Sequence, residues 1–477
     1  MQDEGFRYRA VEKHLLALVA SKALLPGEKL PSLRQLSNQL KVSISTISQA
    51  YLELEKRGIL EARERSGFYL SASAMQLPQP ASRPRPALVP TVSKRRDLIQ
   101  KVLEALGNRE LLPFGVVCPA EELLPAKILA RITAATLRSN PTQMLDYAPV
   151  NGNLELRQQN ARRAMEAGIS VSPDEVLITS GAMEGVSIAL RALTRPGDNV
   201  LIQSPSYFCF LQLLENCGLR AIEIPSASGG IDPRDVQKAI EQFDIRAAIL
   251  VPNFNNPDGS LTSDAAKQQI VALLAERNIP LVEDDVYGDL YFGEQRPTTC
   301  KSFDRQGNVL LCSSYSKTIT PGYRVGWMIP GRHYAKVLDI KTSTNICSAA
   351  PTQLAIATFL REGYYERHLR RLRNAVKQQM EALLLSLHRH FPADTRASFP
   401  EGGAAIWVEL PRQIDAVDYF YQARQLGIGL APGTIFSTQD KYNNFIRLSC
   451  TGIWNAQLEQ GVAQLGQLAK QLVDKQP

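Results

Sequence analysis

The sequence predicts a multidomain chain: a small winged-helix head (α+β), an extended connector, and a large α/β body on a mostly parallel sheet that ends in a smaller C-terminal α+β part. Three observations carry this prediction. The chain has 477 residues, more than one hydrophobic core organises. From about residue 97 onward short apolar strands alternate with helical patterns, as in a parallel sheet with crossover helices. Charge is unevenly placed: residues 1–96 hold 16 Lys/Arg against 8 Asp/Glu, whereas the remainder hold 38 against 39. The net charge of +7 therefore sits at the front, which suits a nucleic-acid-binding head on a neutral body.

Composition narrows the class further. A hydrophobic content of 44% with 21% charged residues is that of a soluble globular protein, and no run of about eighteen apolar residues is present to span a membrane. The acidic start Met1-Gln2-Asp3-Glu4 has no apolar stretch of a secretory leader, and the seven cysteines are scattered without a C-x-x-C pair. A reduced, cytoplasmic location is the expectation.

In the head, residues 1–70, helical periodicity begins near Tyr8 and places Val11, Leu15, Leu18 and Val19 on one face until Pro26-Gly27-Glu28. Ser32 is a good N-cap for a second helix with Leu33, Leu36 and Leu40 on one side. After the break Lys41-Val42-Ser43, a third helix of about residues 45–57 buries Ile47, Ala50, Tyr51 and Leu54, and Gly58 stops it. Residues 59–63 and 67–70 read as two strands around a turn, completing a winged helix; periodicity alone also fits a plain three-helix packing module.

The motifs Pro31-Ser32-Leu33-Arg34, Leu40-Lys41-Val42-Ser43, Thr46, Ala50-Tyr51, Leu54-Glu55-Lys56-Arg57-Gly58 and Ser66-Gly67-Phe68-Tyr69 resemble those of the GntR-type bacterial repressors. The resemblance implies that Arg34, Ser43, Ser45, Thr46 and Gly67 face a double-stranded DNA operator, with the third helix entering a major groove. Many relatives carry arginine just after the Val-Ser, where this chain has Ile44, with Ser48 also small and uncharged, so an apolar or weak base readout is expected there and no operator sequence follows.

Residues 71–96 form the connector. Five prolines between Pro78 and Pro90 favour an extended, semi-stiff spacer, and Lys94-Arg95-Arg96 reads as solvated.

The body, residues 97–477, carries the chemistry. The strand Val176-Leu177-Ile178-Thr179 runs through Ser180-Gly181-Ala182 into a helix, an anion site made of free amides and the helix dipole. Further strands lead to Tyr207 and to Asn253-Phe254-Asn255-Asn256-Pro257-Asp258-Gly259, where ligands bind in open α/β sheets. The strand before Tyr287 ends in Glu283-Asp284-Asp285, three acids that either hold a metal or cap and anchor their surroundings; no His or Cys stands near, so no metal is assigned. Lys317 lies in Ser313-Ser314-Tyr315-Ser316-Lys317-Thr318, followed by Pro321-Gly322-Tyr323-Arg324-Val325-Gly326-Trp327. An amine among hydroxyls, with an arginine just beyond, suits an aldehyde cofactor that carries a phosphate.

In this order the motifs resemble the fold-type-I aminotransferases, over about residues 147–447. The resemblance implies pyridoxal 5'-phosphate on Lys317, Asp284 at the pyridinium nitrogen, and Tyr287 and Asn256 at the ring hydroxyl. Lys317, Asp284 and Tyr287 are thereby the catalytic set. Tyr207 would stack on the ring. Ser180, Gly181, Ala182, Ser314, Ser316 and Arg324 would take the phosphate, with Tyr147 from a neighbouring subunit. Arg447, in Phe445-Ile446-Arg447-Leu448-Ser449, matches the arginine that clamps a substrate carboxylate. A smaller subdomain is expected over about residues 364–477.

A GntR-type head joined to an aminotransferase-like body resembles the MocR-type regulators. That resemblance implies a pyridoxal-phosphate-dependent DNA-binding regulator, a head-to-tail homodimer responding to an amino acid or amine. The alternative is an active aminotransferase with an accessory DNA-binding head, since the residues for transamination are all present.

Overall fold

In the computed structural model, which describes residues 4–20, 27–63, 66–71, 79–80, 84–92, 95–108, 110–227 and 229–474, the head is three helices and a hairpin: α1 (Glu4–Ala20), α2 (Leu33–Leu40), α3 (Ile44–Lys56), β1 (Leu60–Arg63) and β2 (Gly67–Leu70). Ser32 caps α2 in a reciprocal box with Gln35, as the sequence indicated. Ile47, Ala50, Tyr51 and Leu54 of α3 are fully buried, and the Tyr51 hydroxyl donates to the Pro31 carbonyl at 2.8 Å. The first helix begins earlier than its apolar face suggested, at Glu4; Pro26 and the Val19 side chain lie outside what is described.

The body is built on an eight-stranded sheet. Its strands are β4 (Leu177–Thr179), β5 (Asn199–Ser204), β6 (Arg220–Ala227), β7 (Gly230–Ile231), β8 (Ile245–Leu250), β9 (Leu281–Asp284), β10 (Val309–Ser314) and β11 (Gly326–Ile329), in the order β4-β11-β10-β9-β8-β5-β6-β7. The five central strands from β10 to β6 pair in parallel, and β11 and β7 are antiparallel to their neighbours. Strands buried on both faces read as continuous apolar runs, as in Val200-Leu201-Ile202 and Leu281-Val282, all of them buried.

The smaller domain differs from expectation in its membership. Its antiparallel sheet, β12 (Arg396–Ala397), β13 (Ala405–Glu409), β16 (Phe445–Ser449) and β15 (Ala431–Pro432), lies within the expected residues. Yet β3 (Leu112–Pro113) pairs in parallel with β14 (Ile428–Gly429), and helix α4 (Arg96–Leu103) buries Ile99 and Val102 in the same core as Trp407, Ile446 and Leu465. The start of the body thus folds with its end.

The connector also departs from a free spacer. Strand β7 covers only Ser226 and Ala227 of β6, leaving the start of that strand open, and the extended chain at Thr91 takes the edge in an antiparallel bridge to Ala221. The Ala87 N–H donates to Gln439 Oε1 and Gln439 Nε2 donates to the Ala87 carbonyl, both at 2.8 Å. Arg95, expected to be solvated, pairs with Asp440 at 2.6 Å, and Arg96 donates to Asn216 at 3.0 Å; Lys94 lies outside the described residues. Among the described residues no helix is long and apolar enough to cross a membrane.

Candidate functional site

The carboxyl ends of the parallel strands open on a cavity of about 440 Å³. At the centre is Asp284, the last residue of β9. Side chains alternate along a strand, so its two acidic neighbours turn the other way. Glu283 accepts from the backbone N–H groups of Cys300 (2.7 Å) and Lys301 (2.9 Å), and Asp285 accepts from Asn253 Nδ2 at 2.8 Å and from Arg296. The three acids therefore serve three different partners. Asp284 alone lines the cavity, where it accepts one bond, from the Val286 N–H at 3.0 Å. Burial pushes its carboxyl up to about 7, the neighbouring charge of Asp285 adding to the effect.

Strand β10 delivers Ser314 and, two and three residues beyond its end, Ser316 and Lys317. The Lys317 side chain is half-buried, and its amine donates to the Val117 carbonyl at 2.5 Å. Desolvation lowers its pKa, with the Arg447 and Arg324 charges acting in the same direction, and this shifts the amine toward its neutral, nucleophilic form.

The anion cradle assembles on the next turn. Arg324 sits at φ +52°, in the left-handed region, a strain of about 1–3 kcal/mol for a side-chain-bearing residue. That backbone turn sends its guanidinium to Ser316 Oγ (3.3 Å) and the Ser180 carbonyl (3.1 Å). Gly181, at φ +98°, caps the helix Ala182–Leu193; a Cβ there would stand 2.5 Å from Arg324 Nη2. Facing it, a Cβ on Gly326 would stand 2.5 Å from the Gly181 carbonyl carbon. Only glycine fits either position, so the helix amides and Arg324 converge without an intervening side chain. The serine hydroxyls, guanidinium and free amides are the donor set of a phosphate site, and the residues fit pyridoxal phosphate.

Arg447 of β16 closes the cavity from the smaller domain. It is 2% exposed, donates to Asn256 Oδ1 at 3.2 Å and to the Gly115 carbonyl, and leaves its Nε without a partner. Among the described residues no carboxylate pairs with it. Tyr287 and Tyr207 also line the cavity; burial raises both phenols, and Tyr207 meets Phe210 edge-on with ring centroids 5.4 Å apart. Of the expected cofactor residues, Ala182, Tyr207, Asn256, Asp284, Tyr287, Ser314, Ser316, Lys317 and Arg324 line one cavity, with Ser180 and Gly181 directly behind Arg324. Tyr147 is not brought there: it is 78% exposed on its own chain.

Sequence reading missed the loop that holds the two key basic side chains. The carbonyls of Gly115 and Val117 receive Arg447 and Lys317, and Cys118, Leu103 and Leu106 complete the wall. Backbone acceptors leave no trace in side-chain patterns. The head places Arg34 and Ser45 on the surface and Gly67 in the wing at φ +104°. Ser43, exposed like them, caps α3 by accepting the Thr46 N–H on its Oγ at 3.2 Å, and the Thr46 side chain is buried.

Comparison with known proteins agrees with this geometry. Residues 120–465 match the family described as Aminotransferase class I and II, and residues 7–70 match Bacterial regulatory proteins, gntR family. The chain is 37% identical to the uncharacterized HTH-type transcriptional regulator YjiR of Escherichia coli K12, over 95% of this chain and 98% of that protein. It is 30% identical to the 2-aminoadipate transaminase of Thermus thermophilus, over 79% of this chain and 94% of that protein. Among solved structures, the alpha-aminoadipate aminotransferase LysN from Thermus thermophilus, complexed with N-(5'-phosphopyridoxyl)-L-leucine, aligns with a TM-score of 0.73 at 29% identity, covering 79% of this chain and 95% of that one. With a gntR-family head and a class I and II aminotransferase body in one chain, and a full-length relative of the same build, this protein belongs to the MocR-type family of pyridoxal-phosphate-dependent regulators.

Proposed function

We propose that the protein regulates transcription by binding DNA through its head and a carboxylate-bearing amino compound through its body. The observation that carries this reading is Arg447: a fully buried guanidinium with no acidic partner among the described residues, an unbonded Nε, and a place on the same cavity as Lys317. A buried cation without a counter-charge costs several kcal/mol, which a ligand carboxylate offsets. The family's full-length relatives named as HTH-type regulators favour regulation over metabolism.

Pyridoxal phosphate, when bound, supplies an aldehyde carbon for amines and a ring that withdraws electrons from them. The chain's own residues do the rest. Ser314, Ser316, Arg324 and the amides at Ala182 hold the phosphate end. Asp284 would keep a proton on the ring nitrogen, Tyr207, Tyr287 and Asn256 would orient the ring, and the Lys317 amine would accept or return a proton at the ligand's α-carbon. Arg447 fixes the carboxylate. The same set supports turnover, and the body's 30% identity to a transaminase keeps an active aminotransferase as the second reading.

Exposed Tyr147 fits a homodimer in which it reaches the partner's phosphate. The test is fluorescence anisotropy of the cofactor-loaded protein on its own upstream DNA, with and without amino acids, alongside keto-acid assay. Regulation is supported by a ligand that shifts the binding midpoint severalfold without turnover. An unchanged midpoint for every ligand that binds the body refutes it.

A further inference from the structure

The Val117 carbonyl holds Lys317 at the tip of its side chain; a second group of contacts holds it at the root. Its neighbour Thr318 is buried, and the long helix Tyr364–His390 reaches both of that residue's polar groups. The Tyr365 hydroxyl stands 3.0 Å from Thr318 Oγ1, and His368 Nε2 donates to the Thr318 carbonyl at 2.6 Å. Tyr365 and His368 are three positions apart, so one face of the helix carries both.

Tyr365 is itself anchored by Asp289. That carboxylate accepts from the Tyr365 hydroxyl at 2.8 Å, from Arg296 Nε at 2.8 Å and from Arg163 Nη2 at 2.9 Å. Burial alone would raise its pKa; the charges of Arg163 and Arg296 overcome this and hold it well below the usual carboxylate range. An ionised carboxylate only accepts, so it directs the Tyr365 proton and keeps the hydroxyl between Asp289 and Thr318. The same group anchors the loop of Tyr287: Arg296 bridges Asp285 and Asp289, which clips the intervening Val286-Tyr287-Gly288 at both ends. One carboxylate therefore sets the spacing between the turn of Lys317 and the loop that follows Asp284. Each of these ties is made within one chain, and none depends on what a second subunit adds to the cavity.

We propose that Tyr365 is a positioning residue for Lys317, holding the amine where it meets the cofactor aldehyde through the chain Asp289–Tyr365–Thr318. The proposal rests on the reading of the cavity as a pyridoxal phosphate site. Tyr365 stands outside the cavity lining; its ring lies edge-on to Tyr315 at 5.8 Å and under the Arg163 guanidinium at 4.1 Å. When the amine adds to the aldehyde carbon, a carbon–nitrogen double bond forms and the aldehyde oxygen leaves as water. The rate of that step follows the placement of the nitrogen as well as its protonation.

The test uses the full-length protein freed of cofactor. Pyridoxal phosphate is added by rapid mixing and bond formation is followed by the absorbance of the lysine-bound cofactor. Calorimetry measures the Kd of pyridoxamine phosphate, which offers no aldehyde. Tyr365→Phe removes the hydroxyl and keeps the ring; it is expected to slow bond formation at least about tenfold while pyridoxamine phosphate binds within about twofold of the parent. Thr318→Val removes the other end of the same tie and should slow bond formation by a like factor, with the double variant no slower than either single one. Bond formation at the parent rate in Tyr365→Phe, or losses that multiply in the double variant, overturns the positioning role. A matching loss of pyridoxamine phosphate affinity overturns it as well, because the defect is then one of cavity shape. If the parent itself forms no lysine-bound cofactor, the site reading falls, and the positioning role with it.

Discussion

Replacing Arg447 by Met separates the cost of the buried guanidinium from its use. Methionine keeps most of the volume and removes the charge. In the ligand-free protein two effects oppose one another. The Gly115 carbonyl and Asn256 Oδ1 lose their donor, about 1–3 kcal/mol for each buried acceptor left unmade. Against this, an uncompensated buried ion disappears, a relief of several kcal/mol. The two are of like size, so ligand-free stability is expected to stay within about 2 kcal/mol of the parent. With ligand the balance is one-sided. Two charged hydrogen bonds to a carboxylate contribute about 1.5–3 kcal/mol each, so amino-acid binding should weaken by about 10² to 10⁴. At a concentration about 100 times its Kd, a ligand stabilises the parent by about 2.7 kcal/mol, and Arg447→Met should gain almost none of this at the same concentration. Calorimetry and denaturant midpoints read both halves. Binding within about threefold of the parent refutes the clamp. A decarboxylated amine is the control: its affinity should hardly change, and an equal loss for it would put the defect in the cavity's shape rather than in the ion pair.

Two further outcomes test the rest of the site. Gly181→Ala places a Cβ 2.5 Å from Arg324 Nη2 at φ +98°, so cofactor affinity measured by equilibrium dialysis should fall at least about tenfold, and unchanged affinity would move the phosphate elsewhere. Asp284 links pH to stability in the cofactor-free protein: its folded pKa of about 7 stands above the ordinary 3.8, so between those values the folded state holds a proton that the unfolded chain has released. Stability should therefore fall as pH rises through that window, and Asp284→Asn should flatten the part of the slope that Glu283, also raised to about 7, and Asp258, raised to about 6, do not supply. A slope identical in parent and variant refutes the assignment.

What the sequence disclosed followed from locality. The cap of α2 and the glycine turn at Gly181 are short-range events, set within a few residues by hydrogen-bonding geometry. The order of motifs then gathered Lys317, Asp284, Arg324 and Arg447 into one site. The pairing of Leu112 with Ile428 was invisible, because two-residue strands carry no periodicity and their partners lie 316 positions apart. For the same reason the Gly115 and Val117 carbonyls went unseen. The connector was misjudged on composition: proline content fixes an extended backbone, but an extended backbone also fits an open sheet edge such as that at Ala221.

That edge contact changes how the head relates to the cavity. The guanidinium of Arg447 lies 5.5 Å from the ring of Phe436, whose carbonyl accepts the Ser206 N–H at 2.8 Å beside Tyr207. The residues that follow turn outward: Ser437 and Thr438 hold the buried Glu223 of β6, and Thr438, Gln439 and Asp440 hold Thr91, Ala87 and Arg95 of the connector. One five-residue segment thus touches the carboxylate clamp at its first residue and the connector at its last three. A connector tied only to the larger domain would ride with it whatever the ligand did. Here it is tied to β6 at Ala221 and to residues 438–440, a segment that also holds Glu223 of β6, so a shift that moves this segment against β6 strains both sets of ties. Ligand binding biases the head only to the extent that it favours one of those arrangements, and Arg447, buried with no carboxylate partner among the described residues, is the group at which a ligand carboxylate would act.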